Sequence, residues 1–147
     1  MERISFEDEL ERKGVIVYRN KGMSMMPLLR QDRDLMVIEK RGDKKIKKYD
    51  AVLYKKGGTY ILHRVLKVKK DGYVICGDHM RKKEYDVKDE DIIGVLTEVV
   101  RDGKKSVKAT DMKYRLYVHL WCDLFHIRAA LLYSKEKLYK IKKRIAK

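Results

Sequence analysis

Glycine-containing turn pairs alternate with runs of β-branched and apolar residues through much of the chain, and this alternation restricts the possible folds most. The pairs are Gly57-Gly58, Asp71-Gly72 and Asp102-Gly103. The predicted strands cover residues 15–18, 35–38, 51–54, 59–68, 73–76 and 92–100. Strands joined by such turns, with no helical pattern between them, predict an antiparallel meander that closes into a small, mainly β fold.

A short helix is predicted before the first strand. Ser5, with Asp8 three positions later, resembles a capping box and predicts a helix over residues 6–12 that ends at Gly14. The opening ten residues contain four acids and no apolar core, so we expect no signal peptide and no N-terminal membrane anchor. No segment approaches the run of about 18 uncharged residues that a membrane span needs. We therefore expect a cytoplasmic protein with at most a peripheral membrane contact.

From Tyr114 onward the periodicity becomes helical. Apolar residues recur three, four or seven positions apart as far as Ile145, which is typical of an amphipathic helix. Residues 135–147 contain seven lysines and arginines and one glutamate, so this helix is basic. The change of composition divides the chain into a β-domain, residues 1–105, and a basic helical tail, residues 106–147.

The composition restricts the partners and the compartment. A net charge of +15 predicts an anionic partner, such as a membrane surface, nucleic acid or an acidic peptide. The hydrophobic fraction of 44% is typical of a globular protein and argues against wholesale disorder. Cys76 and Cys122 are the only cysteines, which does not indicate a disulfide framework or a zinc ribbon and favours a reducing compartment.

The sharpest local feature is a serine at position 24, in Gly22-Met23-Ser24-Met25-Met26-Pro27. A serine between glycine and proline, in a loop between two predicted strands, is well placed to expose its hydroxyl. The proline is the only one in the chain, and it stiffens the segment. An isolated serine is usually a turn residue, so this segment alone does not establish catalysis.

His63 supplies a potential partner for Ser24. It lies mid-strand among apolar neighbours, and a neutral imidazole with a pKa of about 6.5 can accept a hydroxyl proton at neutral pH. Asp78 follows the next predicted strand and could orient that imidazole. The alternative is purely structural: a strand histidine bonded to a backbone carbonyl, and a turn aspartate. The residues alone favour the structural interpretation.

Three blocks of sequence resemble the signal peptidase I superfamily, which also includes the self-cleaving SOS-type repressors. Residues 24–27, Ser-Met-Met-Pro, are similar to the family's Ser-Met-x-Pro nucleophile box. Residues 49–52, followed by residues 63–65, His-Arg-Val, are similar to its Gly-Asp-hydrophobic strand and its general-base strand. Residues 77–78 resemble its Gly-Asp-Asn box, and residues 92–95 its closing strand. Their order and spacing make the resemblance fairly specific.

A histidine base resembles the archaeal and endoplasmic-reticulum branch of that superfamily. The resemblance implies that Ser24 attacks the scissile carbonyl, that His63 accepts the proton, and that Asp78 orients or stabilises the imidazolium. The backbone N–H of Ser24 would donate to the oxyanion, a contact worth on the order of 3 kcal/mol. The implied substrate is an extended peptide or precursor protein, cleaved after small side chains without a cofactor.

The sequence departs from the family pattern at several positions. Gly22 stands where many relatives carry a serine that helps to stabilise the oxyanion, and His79 replaces the usual asparagine. Asp32 lies near a position where the family prefers glycine, and Asp86 is a second, loosely aligned acidic candidate. A catalytically weak or inactive module that binds peptide or membrane is therefore the alternative to a peptidase.

The basic tail suggests a membrane contact. We expect it to lie in the interface of an anionic membrane, with Trp121 and Phe125 inserted. The cations closest to the chain end are Lys140, Lys142, Lys143 and Arg144. A helix packed on the β-domain would explain the same periodicity equally well.

Neither a metal nor nucleic acid is expected as a ligand. His119, Cys122, Asp123 and His126 share one helix face, but the two histidines are about 10 Å apart, too far to share one ion. The sequence contains no helix-turn-helix, zinc-finger spacing or aromatic RNA-binding box to support nucleic-acid binding.

Overall fold

The computed structural model describes residues 4–146 and is built mainly of antiparallel β-strands, with helices at both ends. The helices are α1 (Phe6–Lys13), α2 (Met112–Asp123) and α3 (Phe125–Ile145), and a 3₁₀ turn spans Asp89–Asp91. The strands are β1 (Val15–Arg19), β2 (Leu35–Lys40), β3 (Ala51–Lys56), β4 (Thr59–Lys69), β5 (Gly72–Cys76), β6 (Glu84–Val87), β7 (Ile92–Arg101) and β8 (Lys105–Lys108). The predicted fold class is confirmed.

Helix α1 begins and ends as predicted from its capping residues. The Ser5 hydroxyl oxygen accepts the Asp8 N–H at 3.1 Å. Gly14 adopts a left-handed φ of 75° and donates its N–H to Leu10 at 2.8 Å. Leu10 is buried against the sheet, so α1 packs along one face of the β-strands.

The strand order in the sheet is β1-β2-β7-β3-β4-β5-β6, with β8 paired to β7. The predicted meander is therefore wrong in one respect, because β7 returns from the end of the domain and separates β2 from β3. Two clusters of buried side chains occupy opposite sides of the strands. One contains Leu53 and Leu62, and the other contains Val52 and Val65.

The boundary predicted at residue 105 falls inside the structure rather than between two units. Strand β8 begins at Lys105 and pairs with β7. Helix α2 adds Tyr114, Val118 and Cys122 to the core cluster that contains Leu53. The first part of the predicted tail is therefore integrated into the β-domain.

The predicted helix after residue 114 is divided into α2 and α3 at Leu124, whose φ of −94° and ψ of 37° are not helical. In α3 only Arg128 and Leu132 are buried, and the helix is exposed from Tyr133 onward. Across residues 4–146, the helices are too short or too polar to cross a bilayer.

Candidate active site

Ser24 lies in the turn-rich segment that joins β1 to β2. Its neighbours Met25, Leu28 and Leu29 are buried, and their packing in the core fixes this segment. Ser24 itself remains partly exposed. The backbone N–H of Ser24 has no intramolecular acceptor among the described residues. It is therefore free to donate to a ligand, as the oxyanion function requires.

The start of this segment is held by Asn20, whose side chain is buried. Its side-chain amide donates to the Gly22 carbonyl at 3.2 Å, and its backbone N–H donates to Asp34 at 3.0 Å. Gly22 and Asp32 have left-handed φ values of 84° and 60°. Glycine adopts this backbone without strain, and aspartate tolerates it better than most other residues do.

His63 and the Ser24 backbone lie at the same end of the β4–β5 pair. Arg64 of β4 pairs with Cys76 of β5, and the next residues along the two strands are His63 and Gly77. A Cβ built on Gly77 would lie 2.6 Å from the Ser24 carbonyl oxygen. That oxygen also accepts the His79 N–H at 2.8 Å. The residues after β5 therefore support the backbone of Ser24 directly.

The imidazole of His63 is only 5% exposed, and its Nδ1 has two neighbours. The Tyr54 hydroxyl lies 3.2 Å from Nδ1 and donates to Glu84 Oε1 at 2.8 Å. Glu84 Oε1 itself is 3.6 Å from Nδ1. Because the Tyr54 hydroxyl donates to the carboxylate, the tyrosine oxygen is left to accept a hydrogen bond from Nδ1–H of His63. This tautomer leaves the lone pair on Nε2, where a general base needs it.

Burial lowers the pKa of His63 below the usual value of 6.5, and the negative charges of Glu84 and Asp78 oppose that shift in part. The imidazole is therefore neutral at neutral pH and able to accept a proton. Within residues 4–146, no hydrogen bond joins the Ser24 hydroxyl to His63. Catalytic hydrogen bonds are often loose before substrate is bound, so this does not exclude the pair.

Asp78 is positioned differently from the sequence-based expectation. Its carboxylate accepts two hydrogen bonds from Arg64, at 3.1 and 2.8 Å, and one from the Tyr117 hydroxyl at 2.8 Å. None of its hydrogen bonds goes to His63. Adjacent residues of a strand point to opposite faces, so the carboxylate that pairs with Arg64 is directed away from the imidazole of His63.

The residues that do contact His63 were missed by the sequence analysis. Tyr54 was assigned only to a strand, and Glu84 lies in β6, a short polar strand without an alternating pattern. The acidic candidate Asp86 is exposed and forms an ion pair with Lys56 at 2.9 Å. Lys56 also forms an ion pair with Glu84, at 3.1 Å. Glu84 and Asp86 lie in the same short segment, and the sequence alone does not rank Glu84 above Asp86 as the acid that contacts His63.

The loop that supports Ser24 is anchored by the C-terminal helices. The Trp121 indole N–H donates to the Asp78 carbonyl at 2.6 Å. Arg128 is 2% exposed and donates to the carbonyls of Gly77, at 3.2 Å, and Met80, at 2.9 Å. Trp121 and Arg128 therefore connect α2 and α3 to residues 77–80, two of which contact the Ser24 carbonyl.

These contacts change the interpretation of the residues predicted to enter a membrane. Trp121 is directed at the loop of Asp78, and Phe125 packs against the guanidinium of Arg128 at 4.6 Å. Both aromatic side chains therefore face the β-domain, and the prediction that they insert into a bilayer needs revision. The cationic residues Lys140, Lys142, Lys143 and Arg144 are exposed at the end of α3.

A cleft of about 420 Å³ begins at Ser24. It runs between residues 18–21, which comprise the end of β1 and the two residues after it, and residues 60–62 of β4. Its floor is apolar, with Met36 and Leu53 among the lining residues. In the described part of the chain, β1 pairs only with β2, and β4 before Arg64 pairs only with β3. Both walls of the cleft therefore present a backbone edge without a strand partner.

The helical cluster considered as a metal site is engaged in other contacts. His119 Nδ1 lies 3.3 Å from Asp123, whose carboxylate also accepts the Tyr49 hydroxyl at 2.6 Å. Cys122 is buried, and burial raises the pKa of its thiol to about 11. Among residues 4–146, there is no group of three or more histidine, cysteine or acidic side chains that could hold a metal ion.

Comparison of the chain with protein-family models, curated proteins and solved structures found no match. The resemblance to signal peptidases therefore depends on the sequence motifs, and the catalytic assignment depends on the geometry around Ser24 and His63.

Proposed function

We propose that this protein is a serine endopeptidase of the signal-peptidase type, with Ser24 as nucleophile and His63 as general base. One observation carries the proposal: Ser24 lines an apolar cleft whose other wall, residues 60–62 of β4, leads directly to His63, a buried imidazole with its Nδ1 3.2 Å from the Tyr54 hydroxyl and its pKa lowered by burial.

The reaction requires Nε2 of His63 to act as base and then as acid in each of two steps. It first accepts the Ser24 hydroxyl proton as Oγ attacks the scissile carbonyl, and the free N–H of Ser24 donates to the resulting oxyanion. Collapse of the intermediate breaks the C–N bond, and the imidazolium gives its proton to the leaving amine. The imidazole then takes a proton from the water that attacks the ester, and returns it to Ser24 Oγ as the C–O bond breaks and the peptide acid leaves.

Substrate binding follows from the unpaired strand edges on both walls of the cleft. An extended peptide placed there can form main-chain hydrogen bonds with the end of β1 and with residues 60–62 of β4. The apolar floor favours uncharged substrate side chains. Among residues 4–146, the charged residues that line the cleft are Arg19 and Lys21, so they disfavour a basic substrate side chain at that end.

A peptide-binding module without turnover is the second candidate. It is favoured by Gly22, which supplies no hydroxyl to the oxyanion, and by the absence, within residues 4–146, of a hydrogen bond between Ser24 and His63. Such a module would keep the cleft and its strand edges but would not activate Ser24.

Labelling with a serine-directed acylating inhibitor, read by mass spectrometry, separates the two candidates. We expect one adduct at Ser24 in the intact protein, none in Ser24→Ala and strongly slowed labelling in His63→Ala. Ser134→Ala and His126→Ala are matched controls, because both residues are exposed on α3. Folded protein that binds extended peptides but forms no adduct between pH 6 and 9 would support the binding module instead.

A further inference from the structure

Helices α2 and α3 carry an exposed row of apolar side chains on the side that faces away from the β-domain. The row, called here the apolar stripe, comprises Leu116, Leu120, Leu124, Ile127, Leu131 and Leu138. Each of these side chains is between 47% and 59% exposed. The part of the stripe on α3 alone, from Ile127 to Leu138, is about 17 Å long at 1.5 Å per residue, and Leu116 and Leu120 extend it onto α2. Continuous exposed apolar surface of this length indicates an interaction site.

The second half of α3 has little support from the rest of the protein. No residue is buried between Tyr133 and Ala146, and the contacts recorded with the β-domain involve Arg81, which pairs with Glu136 at 2.9 Å and lies 5.2 Å from the centre of the Tyr133 ring. An isolated helix shorter than about 15 residues is marginally stable in water, because helices in proteins are normally stabilised by the packing of an apolar face. Both the exposed apolar stripe and the few contacts of the second half of α3 are explained if these helices bind to another surface.

The positive charge of α3 indicates which kind of surface the two helices bind. Residues 135–146 contain six lysines and arginines and one acid, Glu136. A second copy of the chain would bring these cations together, which is unfavourable. Nucleic acid would satisfy the cations but would leave the leucines of the stripe exposed. An anionic bilayer satisfies both, since its headgroups attract the cations and its acyl boundary accepts the apolar side chains.

We propose that α2 and α3 lie in the plane of an anionic phospholipid membrane, with the apolar stripe inserted and the lysines at the headgroups. This orientation places Trp121 and Arg128 on the opposite, protein-facing side, where they hold the loop of Asp78. The β-domain then remains in water with its cleft accessible. The proposal does not depend on peptidase activity.

Co-sedimentation with vesicles tests the proposal. The full chain is incubated with phosphatidylcholine vesicles that either contain or lack phosphatidylserine. We expect binding to the anionic vesicles, weakened by salt, and at least about tenfold weaker binding to the neutral ones. The stripe variant Leu131→Glu/Leu138→Glu should bind the anionic vesicles at least about tenfold less well. The matched control, Val68→Glu/Tyr85→Glu, adds the same charge at exposed positions outside the stripe and should retain binding.

A second measurement does not depend on the acidic substitutions. A tryptophan introduced by Leu138→Trp should be quenched by brominated phosphatidylserine-containing vesicles, whereas one introduced by Tyr85→Trp should not. Equal binding by the stripe and control variants would overturn the proposal. So would a dimer, detected by light scattering, that the stripe variant abolishes while vesicles do not bind.

Discussion

Arg64 and Asp78 form a fully buried ion pair with two parallel hydrogen bonds, Nε to Oδ1 at 3.1 Å and Nη2 to Oδ2 at 2.8 Å. Burial disfavours the charged guanidinium, but the Asp78 carboxylate and the Tyr114 hydroxyl overcome this and raise its pKa. Asp78 is thereby committed to the side of the sheet that packs against α2. Asp78 holds the loop that supports Ser24, and without a hydrogen bond to the imidazole its charge still favours the protonated form of His63.

The first prediction concerns this ion pair. Asp78→Asn leaves the charge of Arg64 buried without a counter-ion, so we expect the free energy of unfolding to fall by about 3 kcal/mol. Denaturant unfolding followed by circular dichroism measures this change. Asp123→Asn is the control, because that carboxylate is exposed and its loss should have little effect. A stable Asp78→Asn protein that has lost only Ser24 labelling would instead make Asp78 the orienting acid.

The second prediction concerns the residues that contact His63. Tyr54→Phe removes the hydroxyl that lies 3.2 Å from Nδ1, and Glu84→Gln removes the charge that directs the tyrosine proton. Both changes remove the preference for the tautomer with a free Nε2, so we expect the rate of Ser24 acylation to fall by about 10- to 100-fold. Mass spectrometry of samples quenched at successive times measures that rate.

Asp86→Asn is the matched control for the second prediction. Asp86 contacts the same Lys56 as Glu84 but does not contact the imidazole, so its loss should leave the rate within about twofold of the intact protein. Equal loss of rate in Asp86→Asn and Glu84→Gln would mean that the local charge matters and the hydrogen bonds to His63 do not.

The third prediction is the pH dependence of Ser24 acylation. The base acts in its neutral form, and burial lowers the pKa of His63, so the rate should reach half its maximum below pH 6.5. Glu84 opposes this shift, so Glu84→Gln should move the midpoint to still lower pH while it lowers the maximum rate. A midpoint above pH 6.5 in the intact protein, or one that Glu84→Gln raises, would contradict the assignment of His63 as the base.

Local patterns in the sequence predicted most of the fold. The capping residues Ser5 and Gly14 located α1, and β-branched runs between glycine turns located six of the strands to within a few residues. The strands that escaped prediction, β6 and β8, are short and polar, because each lies at an edge of the sheet where little is buried. The place of β7 between β2 and β3 depends on long-range pairing, which no local pattern records.

The sequence singles out the proposed nucleophile and base but not the groups around them. Ser24 and His63 carry local motifs, whereas Tyr54 and Glu84 meet His63 only after β3, β4 and β6 come together. The alternation of side chains along a strand explains why Asp78 forms no hydrogen bond with His63. His63 and Arg64 are neighbours in a strand and point to opposite faces, so a carboxylate paired with Arg64 does not also reach His63.

The last prediction concerns the contact between the loop after β5 and the nucleophile segment. A Cβ at position 77 would lie 2.6 Å from the Ser24 carbonyl oxygen and 3.0 Å from the Met80 side chain. The methionine can move, but the Ser24 backbone is fixed by the His79 N–H and by the buried Met25 beneath it. Gly77→Ala should therefore displace Ser24, lower the free energy of unfolding by about 1–3 kcal/mol and slow its acylation.

The double variant Gly77→Ala/Met80→Ala identifies which neighbour of the new methyl group matters. It removes the flexible side chain but leaves the contact with the Ser24 carbonyl oxygen, so acylation should remain as slow as in Gly77→Ala. Met80→Ala alone should label at nearly the rate of the intact protein, because the hydrogen bond from Arg128 is to the Met80 backbone carbonyl and survives the change. Full recovery in the double variant would show that Met80, and not the backbone of Ser24, makes glycine necessary at position 77.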